Sequence, residues 1–423
     1  MSTLLAVSVL LPVICGIIIL ALPVFENKKP LYVFSSVTVV ADLLVVLALA
    51  YNYLFMHISP APVTIWRYLL NINFVLAIDD VSIIFALITA IMWSLVGIFA
   101  TKYMGHEKHN RLFFGLFLIV EGILLGRDFS ANMITLYFFY EMMTFTTVPL
   151  VFHTRRQDSV SAGLKYMFYS CAGAMLILFS VFVLGRFCVD MNFATGASLN
   201  MDLAAGHETL ILIAVMCGIV GFGTKAGMFP MHSWLPSAHP VAPAPASAVL
   251  SGCITKAGIL GVIRLVFYMV GPDFIRGTWV QYCWMILALI TVFMGSMMAY
   301  MEPVMKKRFA YSTVSQLSYI MFGLSLLSVD GMIGALSHVV FHATIKNGIF
   351  LTAGAIIFLT GKTKVSELRG IGKQIPVIIW AYTFLSLALV GIPPASGFIS
   401  KWFLAIGALN SGIPYINWAG PVI

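Results

Sequence analysis

The chain has 423 residues, of which 61% are hydrophobic and only 9% charged, and its mean hydropathy is +0.99. No soluble globular domain has this composition, whereas polytopic membrane proteins do. Lys and Arg number 24 against 16 Asp and Glu, but the cations cluster in short loops between apolar spans. That is the orientation pattern of a membrane protein and excludes a nucleic-acid surface as the reading of the net charge.

The spacing predicts an all-α polytopic membrane fold. A bilayer span needs about 20 mostly apolar residues. On that rule the spans run near 2–24, 31–56, 81–101, 112–127, 131–152, 163–187, 209–230, 241–270, 278–300, 309–328, 331–360 and 375–403. The opening run has no basic segment before it and more spans follow, so it reads as a first span rather than a cleaved signal. No linker is long enough to separate a second domain. Basic loops follow the odd-numbered spans (Lys28/Lys29, Lys102/Lys108/Arg111, Arg155/Arg156, Lys306/Lys307/Arg308, Lys362/Lys364/Arg369/Lys373). Acidic ones follow even-numbered spans (Asp79/Asp80, Asp190/Asp202/Glu208, Asp330). Positive loops stay on the cytoplasmic side, which places the N-terminus outside a cytoplasmic membrane.

Two segments interrupt the helical pattern with Gly and Pro: residues 223–240 and 391–401. They lie five spans apart and each carries a lysine, Lys225 and Lys401. Broken helices in corresponding positions of two halves point to an internal repeat around an ion path, and charge in the middle of a bilayer is retained mainly along such paths. Glu141, midway along the fifth span, is the expected partner of Lys225. A Glu–Lys pair whose separation changes works as a protonation switch, because the partners hold each other's charge only while they are close. A static ion pair joining helices is the alternative. Lys256 sits among small residues deep in the eighth span, beyond the reach of snorkelling. His338, His342 and Lys346 recur every four residues and form one polar stripe, with histidine titrating in the range a relay needs.

Other polar residues divide between site and scaffold. Lys401 precedes Trp402, a pairing that also marks membrane interfaces. Glu121 lies mid-span without a cation nearby in sequence, either an ion ligand or half of a cross-helix pair. His232 and His239 flank a Trp-Leu-Pro turn and are candidates to line a water path to Lys225. Arg264 is read as structural, Asp79/Asp80 as a helix N-cap, and Lys306, Lys307 and Arg308 as interfacial anchors. Cys15, Cys171, Cys188, Cys217, Cys253 and Cys283 are scattered singly without a Cys-x-x-Cys pair, which argues against iron–sulfur ligation and structural zinc. Two histidines on one helix argue against haem. The sequence thus predicts no cofactor and no bound metal.

The residues Tyr140-Glu141-Met142, the run from Lys225 to Arg264 with its His-Ser-Trp-Leu-Pro-Ser-Ala-His-Pro core, Lys307-Arg308-Phe-Ala-Tyr311, His342-Ala-Thr-Ile-Lys346 and Gly391-Ile-Pro-Pro-Ala-Ser-Gly-Phe-Ile-Ser-Lys401 together resemble a known family. It is that of the antiporter-like membrane subunits shared by respiratory complex I, Mrp cation/proton antiporters and energy-converting membrane hydrogenases. The resemblance implies about 12–14 transmembrane helices, with an N-terminal three-helix segment (1–110) and two inverted five-helix repeats (111–271 and 272–423). The second repeat would be incomplete at its C-terminus, since such subunits usually have about fourteen spans and a thirteenth would begin at Ile423. Whether the protein is short or the chain incomplete is left open, and Glu121 has no general family counterpart.

The resemblance further implies that Glu141 and Lys225 govern proton uptake. Lys256, His338, His342 and Lys346 would form a central axis, and Lys401 would serve the exit. The expected function is translocation of protons, or Na⁺/H⁺ exchange, within a multisubunit complex of the inner membrane. The chain itself would hold no redox centre and would act as the ion-pumping part of an oxidoreductase. Its partners would be homologous antiporter-like subunits and a redox arm with iron–sulfur centres. A Mrp-type Na⁺/H⁺ antiporter subunit, a proton channel feeding an inorganic-carbon uptake complex, and an inactive membrane scaffold are the rival readings. Buried charges that do nothing are expensive in lipid, which counts against the scaffold.

Overall fold

The computed structural model describes residues 1–67, 73–193, 196–413 and 416. Helices α1 (Ser2–Ala21), α2 (Lys28–Leu54) and α3 (Asp80–Tyr103) form the N-terminal segment. A short antiparallel hairpin that the hydropathy pattern does not announce joins α2 to α3, its strands β1 (Val63–Arg67) and β2 (Asn73–Leu76) pairing Val63 with Leu76. The first large bundle contains α4 (Asn110–Asp128), α5 (Met133–Val151), α6 (Gln157–Phe187), the short α7 (Met201–Ala204), α8 (Glu208–Ala226), α9 (Leu235–Val241), α10 (Ala244–Val249) and α11 (Lys256–Ile263). The second follows the short α12 (Pro272–Ile275) with α13 (Trp279–Met301), α14 (Met305–Ser325), α15 (Val329–Thr360), α16 (Pro376–Val390) and α17 (Ser396–Leu409).

Among the described residues, nine helices are long and apolar enough to cross a membrane, residues 244–270 forming the most buried of them. The three further spans read from sequence are present as helices of lower hydropathy or shorter length. α4 carries Arg111, Glu121, Arg127 and Asp128, α14 is polar over its first two turns, and the twelfth span is split into α16 and α17. The exposed face of α2 is apolar, with the row Val33, Val37, Val40, Leu44 and Leu47. A chain with these helices is a multi-pass membrane protein.

Both interruptions in the sequence are breaks in the structure. α8 ends at Gly227 (φ +73°) and α16 at Gly391 (φ +91°), left-handed conformations that glycine adopts without steric cost. At the first break the Trp234 indole donates to the Thr224 carbonyl at 2.8 Å. Residues 244–270 form one continuous rod in which α11 is flanked by π-helical turns at Leu250–Ile254 and Arg264–Val270. Such turns re-aim side chains within a helix, and here Lys256 lies between the two while Arg264 opens the second.

Asp79 caps α3 as expected. Its carboxylate accepts from the Ser82 amide at 2.7 Å, and Ser82 Oγ accepts from the Asp79 amide at 2.8 Å. It also takes both terminal nitrogens of the buried Arg264, with Nη2 donating at 2.8 Å to Oδ1 and Nη1 donating to Oδ2. Arg264 thereby joins the rod to the start of α3 and is structural, as the sequence predicts. Burial pushes the Asp79 carboxyl up, but the Arg264 guanidinium and the Ser82 contacts outweigh it and hold the group below the ordinary carboxylate value. The stabilisation is therefore complete above the ordinary carboxylate value and is lost as pH falls through the depressed one. Asp79→Asn is expected to lower the melting temperature of the solubilised protein at neutral pH and to flatten its acid-side decline. An unchanged melting curve would show that Arg264 is satisfied elsewhere.

Candidate ion-translocation site

The break after α8 builds the first cluster. Lys225, fully buried in the last turn of α8, donates to Tyr166 Oη at 2.8 Å and to Ser170 Oγ at 2.9 Å, both on α6. Its ammonium also lies 4.3 Å from the Tyr166 ring centroid, and Tyr166 Oη is 2.8 Å from Thr147 Oγ1 on α5. The lysine charge is thus held by neutral oxygens and an aromatic face, which favour a cation without a counter-charge. Glu141 lies nearby and bears on Lys225 electrostatically. It is not an ion-pair partner: among the described residues Glu141 forms no bridge within 4.0 Å, and its buried Oε1 has no hydrogen-bond partner. The structure therefore shows the pair separated.

The second cluster joins the rod to α15 and α17. Lys256 donates to the Ser251 carbonyl at 2.5 Å and to His342 Nδ1 at 2.9 Å. The His342 and His338 rings stack with centroids 5.9 Å apart. His338 then places Nε2 at 3.0 Å from Gln316 Oε1 of α14 and Nδ1 at 2.9 Å from Ser400 Oγ of α17. Lys401, the next residue, donates to the Val390 carbonyl at the broken end of α16 at 3.1 Å, its ammonium 4.9 Å from the Tyr319 ring. Lys256, both histidines and the second broken helix are consequently consecutive members of one buried polar row.

Lys346 branches from this row and donates to the Phe309 carbonyl at 3.1 Å. His239 stacks on Phe350 with centroids 4.5 Å apart, and both of its ring nitrogens lack partners. It is fully buried, whereas His232 sits half-buried in the break beside Ser233 and Ser237, which bond to Tyr169 Oη at 2.8 Å and Lys165 Nζ at 3.1 Å. The two histidines thus occupy different surroundings, and only His232 stands at a polar lip.

Lys306 departs from the anchoring role expected of it. It is 7% exposed and donates to the Ala242 carbonyl at 2.8 Å, so it belongs to the interior around His239, while Lys307 pairs with Glu302 at 2.7 Å near the surface. Sequence reasoning also passes over Tyr166, Ser170, Thr147, Gln316 and Ser400, whose types give no signal in membrane helices. Arg127 and Asp128, paired with each other inside α4 and joined to Thr89 at 2.7 Å, escape it too, because they fall at the edge of a span. Glu121 is fully buried, and neither of its oxygens has a hydrogen-bond or ion-pair partner among the described residues.

Residues 130–421 match the family described as NADH:quinone oxidoreductase/Mrp antiporter, TM, and residues 68–114 match NADH-Ubiquinone oxidoreductase (complex I), chain 5 N-terminus. The chain is 31% identical over 331 residues to NADH-quinone oxidoreductase subunit N of Desulforudis audaxviator, covering 76% of this chain and 65% of that one. It is 32% identical over 348 residues to hydrogenase-4 component B of Escherichia coli, covering 78% and 50%. It is 29% identical to a Na(+)/H(+) antiporter subunit of Bacillus subtilis over 347 residues, covering 80% and 68%. The chain thus spans about half to two thirds of the length of these relatives. The fold is similar to chains of an archaeal membrane-bound sulfane sulfur reductase (TM-score 0.85, 21% identity, 99% of this chain and 84% of that) and of the Mrp complex from Dietzia (TM-score 0.85, 22% identity, 100% and 77%). The chain belongs to the NADH:quinone oxidoreductase/Mrp antiporter family of membrane subunits.

Proposed function

We propose that the chain translocates protons as one membrane subunit of a multisubunit energy-converting complex, driven by redox chemistry in partner subunits that carry iron–sulfur centres. The observation that carries this reading is the buried row Lys256–His342–His338–Ser400, closed at its far end by Lys401. Each member holds or passes a proton through nitrogen or oxygen, and the row ends at a helix break, where non-helical backbone can line a water-filled cavity. The separated Glu141 and Lys225 form the control point. Bringing them together would fix the proton on Lys225, and parting them would release it towards the row. The partners would include homologous antiporter-like subunits, residues 111–271 and 272–423 would act as the two channel-forming repeats, and the N-terminus would lie outside. A second reading, a Mrp-type Na⁺/H⁺ antiporter subunit, draws support from the likeness to the Dietzia Mrp complex over 100% of the chain.

Three tests follow, all on the complex isolated with this chain and reconstituted in sealed vesicles. Glu141→Gln and Lys225→Ala are each expected to cut proton movement roughly 100-fold, the scale on which a positioned proton-transfer group acts, while subunit composition stays unchanged. Near-normal proton movement in either variant would overturn the control-point assignment. Ser400→Ala and Gln316→Leu remove the neutral partners of His338 and should slow the same flux several-fold without loss of assembly. Unaltered flux in both would make His338 a packing residue. Adding Na⁺ on the opposite side separates the two readings, since only exchange is accelerated by it.

A further inference from the structure

Outside this row the N-terminal segment encloses a second set of ionisable groups. Asp42 on α2 and Glu121 on α4 are each 0% exposed, and all four of their carboxylate oxygens lack a hydrogen-bond partner. Their helices set them at one level. Val39 of α2 packs in one layer with Ser94 and Gly97 of α3 and Phe117 of α4: the Ser94 hydroxyl donates to the Val39 carbonyl at 2.8 Å, and a Cβ on Gly97 would meet both Val39 and Phe117 at 3.4 Å. Asp42 lies three residues beyond Val39 and Glu121 four beyond Phe117, one turn on in helices that run the same way. Asp42 is accordingly the charge that bears most strongly on Glu121, with Cys15 of α1 the other ionisable group within reach. α1 is pressed against this point from the other side, since a Cβ at Gly122 would lie 2.4 Å from the Val9 carbonyl and 3.1 Å from Pro12.

Two bare carboxylates cannot persist side by side in an apolar layer, because burying an isolated charge costs far more than any helix packing returns. A cation must accompany them. Among the described residues no hydroxyl or amide donates to either carboxylate, and a metal cation would take several oxygen ligands at once. A proton needs only the two carboxyl groups. Unpartnered polar atoms also continue from the pair towards the Lys28 end of α2. Ser35 Oγ lies two turns back on the same face, and Asn110 Oδ1 at the start of α4 sits beside Tyr32, whose hydroxyl accepts from Asn110 Nδ2 at 3.0 Å. Ser35 and Asn110 are buried with one polar atom each unsatisfied, the condition that ordered water relieves.

We propose that Asp42 and Glu121 form a proton-binding pair that shares one dissociable proton, reached by water from the Lys28–Asn110 side along Asn110 and Ser35. The proton passes from water to one carboxylate, which becomes a neutral carboxylic acid and leaves the pair with one negative charge. The site is separate from the Lys256–His338 row and does not depend on the reading proposed for it. Dicyclohexylcarbodiimide, which adds to protonated carboxyls in apolar surroundings, tests it on the intact complex in lipid nanodiscs, with peptide mass spectrometry as readout. The expected result is one adduct per chain distributed over Asp42 and Glu121, forming faster as pH falls and unaffected by replacing K⁺ with Na⁺. In Asp42→Asn, Glu121 alone should take the label, at a rate several-fold less sensitive to pH. Three results would overturn the proposal: no adduct at either residue while other carboxyls of the complex react, both residues labelled in the same chain, or protection by Na⁺ at constant pH, which would make the pair a metal-cation site.

Discussion

The structure depends on how buried ammonium groups are satisfied without carboxylates. Lys225, Lys256, Lys346 and Lys306 are at most 7% exposed, yet each donates to neutral oxygen or nitrogen: phenol and hydroxyl for Lys225, carbonyl and imidazole for Lys256, carbonyls for Lys346 and Lys306. A salt bridge would hold each charge in a deep well. Neutral acceptors lower the cost of the cation without locking it, so loss of the proton leaves no stranded anion behind. This arrangement also dictates the backbone, because carbonyls can accept from lysine only where a helix stops, unwinds or shares its acceptors. The break at Gly391, where Lys401 bonds to the Val390 carbonyl, and the π-helical turn at Leu250–Ile254, which offers the Ser251 carbonyl to Lys256, stand at those places.

The arginines are treated differently. Arg264 and Arg127, also buried, both face carboxylates, Asp79 and Asp128. Arginine does not lose its proton in proteins and gains most from a two-pronged anion, so the protein places it where a permanent link between elements is wanted. Lysine occurs where no carboxylate pairs with the charge. The two cations divide the interior into ion-paired joints and positions held by neutral partners.

How much of this is legible in the sequence follows the same chemistry. Lys225, Lys256, His338, His342 and Lys346 stand out because charged letters inside apolar runs are rare, and the Gly/Pro punctuation shows both breaks. The partners do not stand out. Tyr166, Ser170, Gln316 and Ser400 are types that any membrane helix can carry, and their pairings join residues far apart in sequence, 86 positions for Lys256 with His342 and 62 for His338 with Ser400. Lys306 defeats the anchoring expectation because a loop position says nothing about where a long side chain ends. Asp42 carries the same signal as Glu121, a lone carboxylate within an apolar run, but neither shows its counterpart until α2 and α4 are seen side by side. The expectation of a truncated second repeat falls partly on residues 417–423, outside those described.

α15 has an electrical consequence. Its 32 residues make a rod of about 48 Å at 1.5 Å per residue, longer than a whole bilayer of about 40–45 Å including its headgroups. Such a rod must lie oblique to the membrane normal or project beyond it. Steps along an oblique helix are partly sideways. A proton advancing from Lys346 past His342 to His338 would then cross less of the membrane voltage than the length of its path suggests. With about 2.3 kcal/mol at stake for each charge carried through 100 mV, a sideways stretch would let a proton travel along the row while working little against the field.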